Sequence, residues 1–219
     1  MVLNWLILVA QLLILPPENP RFKGGERALN SFLAHNQIYP AYSKANCIQG
    51  TIMVSFKLNK EGEVYESEVQ KGFGVDLDKE ALRLIRLSSG RWNVPKDYDT
   101  SVALVLPVNF SLKEFDCEQR PKDEIKKAVL AYQSRLGLTE AITNYYQNKS
   151  MGKTDVADEV TILQLKAQLG YDQKYIDRAI REAQRKLKQG DRESACEDLA
   201  FIKNLGTDKA DKLIAQNCK

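Results

Sequence analysis

One histidine and four cysteines are all that 219 residues offer for metal or nucleophile chemistry of the commonest kinds. Cys47, Cys117, Cys196 and Cys218 form no C-x-x-C pair, and His35 lies 12 residues from the nearest of them. That removes the usual ligand sets of a structural zinc ion. Ser–His or Cys–His catalysis could run only through His35, which follows Phe32-Leu33-Ala34 and reads as an ordinary surface or packing residue. Twelve Gly and seven Pro exclude a collagen-like or proline-rich fibre. Mean hydropathy of −0.40 leaves no room for several membrane spans. The net charge of +3 is shared almost evenly along the chain, and no stretch concentrates basic residues. A nucleic-acid partner is therefore not indicated. With 28% charged and 43% hydrophobic residues the composition is that of a folded globular protein.

Val2 to Leu15 is a 14-residue run, apolar except for Asn4 and Gln11, ending at Pro16-Pro17. As a helix it would be about 21 Å long, short of the ~30 Å hydrocarbon core of a bilayer. The length suits a signal peptide or N-terminal anchor over residues 1–17, although no Lys or Arg precedes it and no A-x-A site follows. A core helix of a soluble protein is the alternative.

Beyond the stiff Pro16–Pro20 link, residues 25–36 read as a helix with Leu29, Phe32 and Leu33 on one face, ended by Tyr39-Pro40. Thr51 to Asn59 alternates, with Ile52, Val54, Phe56 and Leu58 on one side. Asn59-Lys60-Glu61-Gly62 is a hairpin turn, and Val64 to Gln70 is the returning strand. Asp76 or Asp78 is placed to N-cap a helix carrying Leu77, Ala81, Leu84 and Ile85. Val102 to Leu112 alternates again. These elements give an α+β unit, residues 18–116, with a small antiparallel three-stranded sheet covered by helices on one face. Residues 117–219 read as all-α, with helices near 121–136, 139–149, 155–169, 172–188, 191–204 and 207–217. Gly137, Gly152, Gly170, Gly190 and Gly206 mark the breaks. The last pair forms a helical hairpin, faintly similar to tetratricopeptide hairpins but without a repeating period.

Enzyme chemistry finds no anchor. Gly152-Lys153-Thr154 lacks the glycine five positions earlier that a phosphate loop requires, that position being Gln147. Gly24-Gly25 reads as a helix-entry turn. The pairs Glu61/Glu63, Glu66/Glu68 and Asp76/Asp78 read as solvated charge rather than metal or acid–base carboxylates. No cofactor or metal is implied.

Residues 22–112 carry a denser pattern. Phe22-x-Gly24-Gly25-x-x-Ala28-Leu29-x-x-Phe32-Leu33-Ala34-x-Asn36-x-x-Tyr39-Pro40 leads into Ile48-Gln49-Gly50-Thr51. Val54-x-Phe56-x-x-Asn59-x-x-Gly62-x-Val64, Val69-x-Lys71-Gly72 and Leu77-Asp78-x-Glu80-Ala81-Leu82-Arg83-Leu84 follow, then Trp92-x-x-Pro95 and Leu106-Pro107-Val108-x-Phe110-x-Leu112. This stretch strongly resembles the TonB C-terminal domain family. The resemblance implies a β-β-α-β core in the periplasm that contacts outer-membrane transporters by strand pairing, in envelope systems where an inner-membrane motor supplies force. It also implies that Tyr39 and Pro40 lie against the transporter's peptide. The chain departs from the energy transducers in having only about six residues, reaching ~20 Å, between apolar run and domain.

The resulting expectation is a non-enzymatic, exported envelope protein that binds a TonB-dependent transporter or another envelope protein. A strand at the sheet edge would present Ala103, Val105, Pro107, Asn109 and Ser111 to an extended partner peptide. Three rivals stand beside it: an adaptor whose C-terminal helices carry the partner, an edge closed by those helices or by a second copy, and a fragment of a regulatory membrane peptidase. The last would need a metal-binding helix motif, which the sequence lacks. An oxidising compartment would let the cysteines pair. Cys196 and Cys218 lie about 15 and 18 Å up the two arms of a hairpin turning at Gly206. Cys47 and Cys117 bracket the sheet before its first and after its last strand. Two disulfides, Cys196–Cys218 and Cys47–Cys117, follow.

Overall fold

The computed structural model describes residues 18–113, 115, 117–153 and 156–218. The apolar run of residues 2–15 lies outside them. Among the described residues, no helix is long and apolar enough to cross a membrane.

Thirteen elements follow in order: β1 (Arg21–Phe22), α1 (Gly25–Asn36), α2 (Ala41–Ala45), β2 (Gly50–Leu58), β3 (Val64–Lys71), α3 (Asp76–Leu87), β4 (Trp92–Asn93), β5 (Leu104–Phe110), α4 (Lys122–Ser150), α5 (Val156–Leu169), α6 (Gln173–Lys188), α7 (Arg192–Asn204) and α8 (Asp211–Asn217). The fold is mixed α and β. A three-stranded antiparallel sheet has the order β3-β2-β5, and β1 pairs with β4 in a separate two-residue ladder.

Alternation in β2 puts Ile52, Val54, Phe56 and Leu58 into a core closed by Leu77, Ala81, Leu84 and Ile85 of α3, Val108 and Phe110 of β5, Phe22 and Trp92. The opposite residue Ser55 is also buried, because β2 is the central strand and both neighbours crowd it. The hairpin turn is tight enough to require glycine. Gly62 has φ +80°, and a Cβ there would stand 2.2 Å from the Trp92 carbonyl oxygen. The last strand is shorter than its alternating sequence, since Val102–Ala103 and Ser111–Leu112 find no ladder partner on β2.

Neither Asp76 nor Asp78 caps α3, whose N-cap is Val75. Asp78 instead accepts the backbone N–H groups of Phe73 (3.0 Å) and Gly74 (2.8 Å), tying the preceding loop to the first turn. Asp76 is used by Ser43, whose hydroxyl and N–H both donate to it.

Helix α4 contradicts the expected break at Gly137: it is one helix of 29 residues. A helical glycine costs about 1 kcal/mol relative to alanine. Packing on both sides of it outweighs that penalty. Ile125, Ala128, Val129 and Tyr132 lie on the sheet-side core, while Ile142 and Tyr145 lie in a second core with Ile162, Tyr171 and Leu205. A third core joins Ile176 and Ala183 of α6 to Leu199, Ile202 and Ala210.

Two disulfides are present. Cys47–Cys117 (Cα–Cα 5.5 Å) joins the entry of β2 to the segment after β5, and Cys196–Cys218 (5.6 Å) closes the α7–α8 hairpin.

Candidate functional site: the β5 edge and the segment beside it

Among the described residues, strand β5 has a neighbour on one side only. Its register pairs Val54 with Leu106, Met53 with Pro107 and Ile52 with Val108. Proline has no N–H, so the Met53–Pro107 pair cannot be a hydrogen-bonded one, and antiparallel pairs alternate. Val105, Pro107 and Asn109 therefore turn their backbone groups away from β2. Asn109 bears this out, since its carbonyl accepts from Gln37 Nε2 at 3.0 Å rather than from the sheet. Ala103, Val105, Pro107, Asn109 and Ser111 are all exposed, Val105 at 42%.

The helices after Cys117 dock elsewhere on the α/β unit. Tyr132 of α4 packs on Tyr42 of α2, with ring centroids 4.9 Å apart. Gln133 donates to the Phe73 carbonyl at 2.8 Å. Arg86 of α3 reaches α7, where it pairs with Glu193 (2.9 Å) and bidentately with Glu197 (3.0 and 2.9 Å), while its Nε donates to Ser67 of β3.

Tyr39 and Pro40 do not stand free. The Tyr39 hydroxyl donates to the Ile48 carbonyl at 2.6 Å, and its ring meets Phe110 edge-on at 5.8 Å. Burial, then the charge of Asp76, pushes its phenol up to about 12. Pro40 is the N-cap of α2. The residue between Gln37 and Tyr39, Ile38, is 65% exposed, while its N–H is held by Glu80 Oε1 at 2.8 Å. Glu80 is itself buried and takes two hydrogen bonds from Arg83, which also donates to the Asn36 carbonyl. A buried ion pair on α3 thus fixes the backbone of residues 36–39 beside the open edge. Sequence reasoning gave Gln37 and Ile38 no role, and quoted Glu80 and Arg83 only within the TonB-like pattern. Their (i, i+3) Glu–Arg spacing is common to helices without function.

A groove of about 730 Å³ separates α3 from α4, α6 and α7, with Tyr42, Tyr132, Tyr175, Arg83, Arg86 and Glu197 among its walls. Burial first of all pushes the phenols of Tyr132 and Tyr175 up to about 12. No set of three metal-ligating side chains occurs among the described residues. His35 is exposed and its Nδ1 contacts only Ser31, at the carbonyl (2.8 Å) and the hydroxyl (3.4 Å). Gly152 and Lys153 close the end of α4 by backbone bonds to Lys149 and Asn148. Thr154 lies outside the described residues. Glu66 and Glu68 are exposed, and Glu66 pairs with Lys57.

No curated protein matches the chain. Among solved structures, the solution structure of the Helicobacter pylori TonB C-terminal domain (residues 194–285 of that protein) is 27% identical, with a TM-score of 0.34. It aligns with 41% of this chain and 95% of its own. Residues 35–112 match the model of the Gram-negative bacterial TonB protein C-terminal family. That span runs from the last turn of α1 through β5, so residues 35–112 are identified with the TonB C-terminal family, while β1, most of α1 and the helices from Lys122 onward lie outside the match.

Proposed function

We propose that this is a non-enzymatic protein of the cell envelope whose TonB-like unit, residues 18–116, binds partner proteins by adding an extended peptide to the β5 edge. One observation carries the reading: among the described residues β5 is paired on one side only, and its outer residues 105, 107 and 109, with the flanking 103 and 111, are all exposed although more than 100 residues follow it. Edge strands with free backbone groups recruit extended segments. The TonB family match and the two disulfides support an exported location in the periplasm, with residues 1–17 as signal or anchor. The partner is a TonB-dependent transporter of the outer membrane, or another envelope protein that offers an extended segment.

Val105→Pro tests the edge. Val105 points its N–H outward, so the substitution removes a donor for the partner and spares the β2 ladder. Binding of an extended transporter-derived peptide, measured by titration calorimetry, falls tenfold or more while circular dichroism stays native. Unchanged affinity in the folded variant removes β5 as the site.

A second reading has one observation in its favour. The groove of about 730 Å³ between α3 and α4, α6 and α7 is concave, and the C-terminal helices, residues 117–219, form most of it. In that case the protein is an adaptor, and pull-downs with the full chain lose the partner on substitution of Tyr132 and Tyr175 rather than Val105.

A further inference from the structure

The charge that looks evenly spread along the chain is gathered by helix α6. Lys174, Arg178, Arg181, Arg185 and Lys188 recur at spacings of four, three, four and three, which places them on one stripe of a helix. All five are exposed. The opposite face, with Ile176 and Ala183, is buried against Leu199, Ile202 and Ala210, so the stripe faces away from the body. It extends for about 21 Å at 1.5 Å per residue.

Among the described residues these cations are poorly compensated. Arg185 stands 4.0 Å from Glu182, a distant contact, and Arg178 lies over the Tyr175 ring at 5.8 Å. The neighbouring Asp177 is already held by Lys209 (2.7 Å) and Gln173 (3.1 Å). Helix-end stabilisation explains only part of the stripe. Cations favour a helix C-terminus, yet Lys174 and Arg178 occupy the N-terminal half, where the macrodipole opposes them.

We propose that the α6 ridge is a docking surface for an anionic lipid bilayer. A straight, convex row of cations without a cleft matches a plane of phosphates better than it matches a ligand that must be enclosed. Arginine, three of the five, pairs bidentately with phosphate. On the anchor reading of residues 2–15, the Pro-rich link of only a few residues between that apolar run and β1 would hold the folded body near a membrane, and the proposal rests on that reading. One short apolar segment alone anchors weakly, and a polybasic surface is the usual second contribution.

The test uses the full chain, with phosphatidylcholine vesicles alone or containing about one-third phosphatidylglycerol, in co-sedimentation at about 50 mM and about 300 mM KCl. The wild type partitions about tenfold more onto the anionic vesicles at low salt, and high salt removes the preference. Arg178→Gln, Arg181→Gln and Arg185→Gln together abolish the preference and leave partitioning onto phosphatidylcholine unchanged, because the three guanidinium groups respond to the net negative charge of the surface. Lys122→Gln, Lys126→Gln and Lys127→Gln on α4, which are also exposed, leave the preference intact. Circular dichroism and intact mass with both disulfides certify the fold of each variant. An anionic preference that survives the triple α6 variant overturns the proposal. So does short duplex DNA that binds the wild type at the same salt without any preference for anionic vesicles, since the ridge would then read nucleic-acid phosphates.

Discussion

Removing the Cys47–Cys117 bridge by the double substitution Cys47→Ala and Cys117→Ala lowers stability by about 4 kcal/mol. The magnitude follows from the loop. The two residues are 70 apart in sequence, and the chain-entropy relation assigns a closed loop of that size roughly 4.4 kcal/mol at 25 °C. The native side of the balance changes little. β2 and β5 are antiparallel neighbours without the bridge, and their ladder runs from Gly50–Phe110 to Phe56–Leu104. Alanine also leaves the small cluster around Leu112, with Tyr39 and Ile125 beside it, free of a buried hydroxyl. The bridge therefore acts on the unfolded chain, which it prevents from separating the sheet's entry strand from the start of the helices. The assay is urea unfolding followed by circular dichroism. With m near 2–3 kcal/mol/M the midpoint falls by about 1.5–2 M. The Cys196–Cys218 bridge closes a loop of 22 residues, and the same relation gives it roughly 3.4 kcal/mol. A loss below about 1 kcal/mol for Cys47/Cys117, or a larger loss for the shorter loop, refutes the entropic argument.

Three further outcomes test other parts of the structure. Gly62→Ala destabilises by about 2 kcal/mol or more in the same urea assay, because φ is +80° and the new Cβ meets the Trp92 carbonyl; a neutral result refutes the described turn. Glu193→Gln raises stability slightly at pH 7 in the urea assay, by less than about 1 kcal/mol for a half-exposed group. Burial lifts the Glu193 carboxyl above its usual range, outweighing Arg86, while Glu197 and Asp191 add to the lift. Its charge thus opposes folding above the folded-state pKa, so the gain disappears as pH falls below the unfolded-state value, and a gain that grows in acid contradicts the sign. In a spectrophotometric titration, a tyrosine population including Tyr39, Tyr132 and Tyr175 ionises only near pH 12, and complete ionisation by pH 11 contradicts their burial.

The sequence by itself determined the elements whose partners are periodic and near. Alternation fixes β2 and the middle of β5, the hairpin turn implies the returning strand β3, and the 3.6-residue period fixes α1 and α3. Asn59 to Gly62 fixes the turn, because a positive φ beside another chain segment admits only glycine. A hairpin turning at Gly206 is enough to pair Cys196 with Cys218, although α8 starts only at Asp211 rather than at residue 207 and Cys218 is its C-cap, so the second arm is not helical along its whole rise. Basic spacing on α6 was also present in the sequence, though an even charge count concealed it until the helix was placed. Tertiary structure decided everything that depends on which distant atoms meet. Gly137 stays helical because two separate cores hold the turns on either side of it. Asp76 and Asp78 serve Ser43 and the Phe73–Gly74 loop instead of capping their own helix. Two-residue strands such as β1 and β4 are too short for any periodicity to reveal them. The edge of β5 is open at Val105 and covered at Asn109 because Gln37, held beside it by Glu80 and Arg83 from another element, reaches that one carbonyl. Local patterns choose the elements, since their energies add over adjacent residues; the functional surface arises from single long-range contacts, which no window of sequence contains.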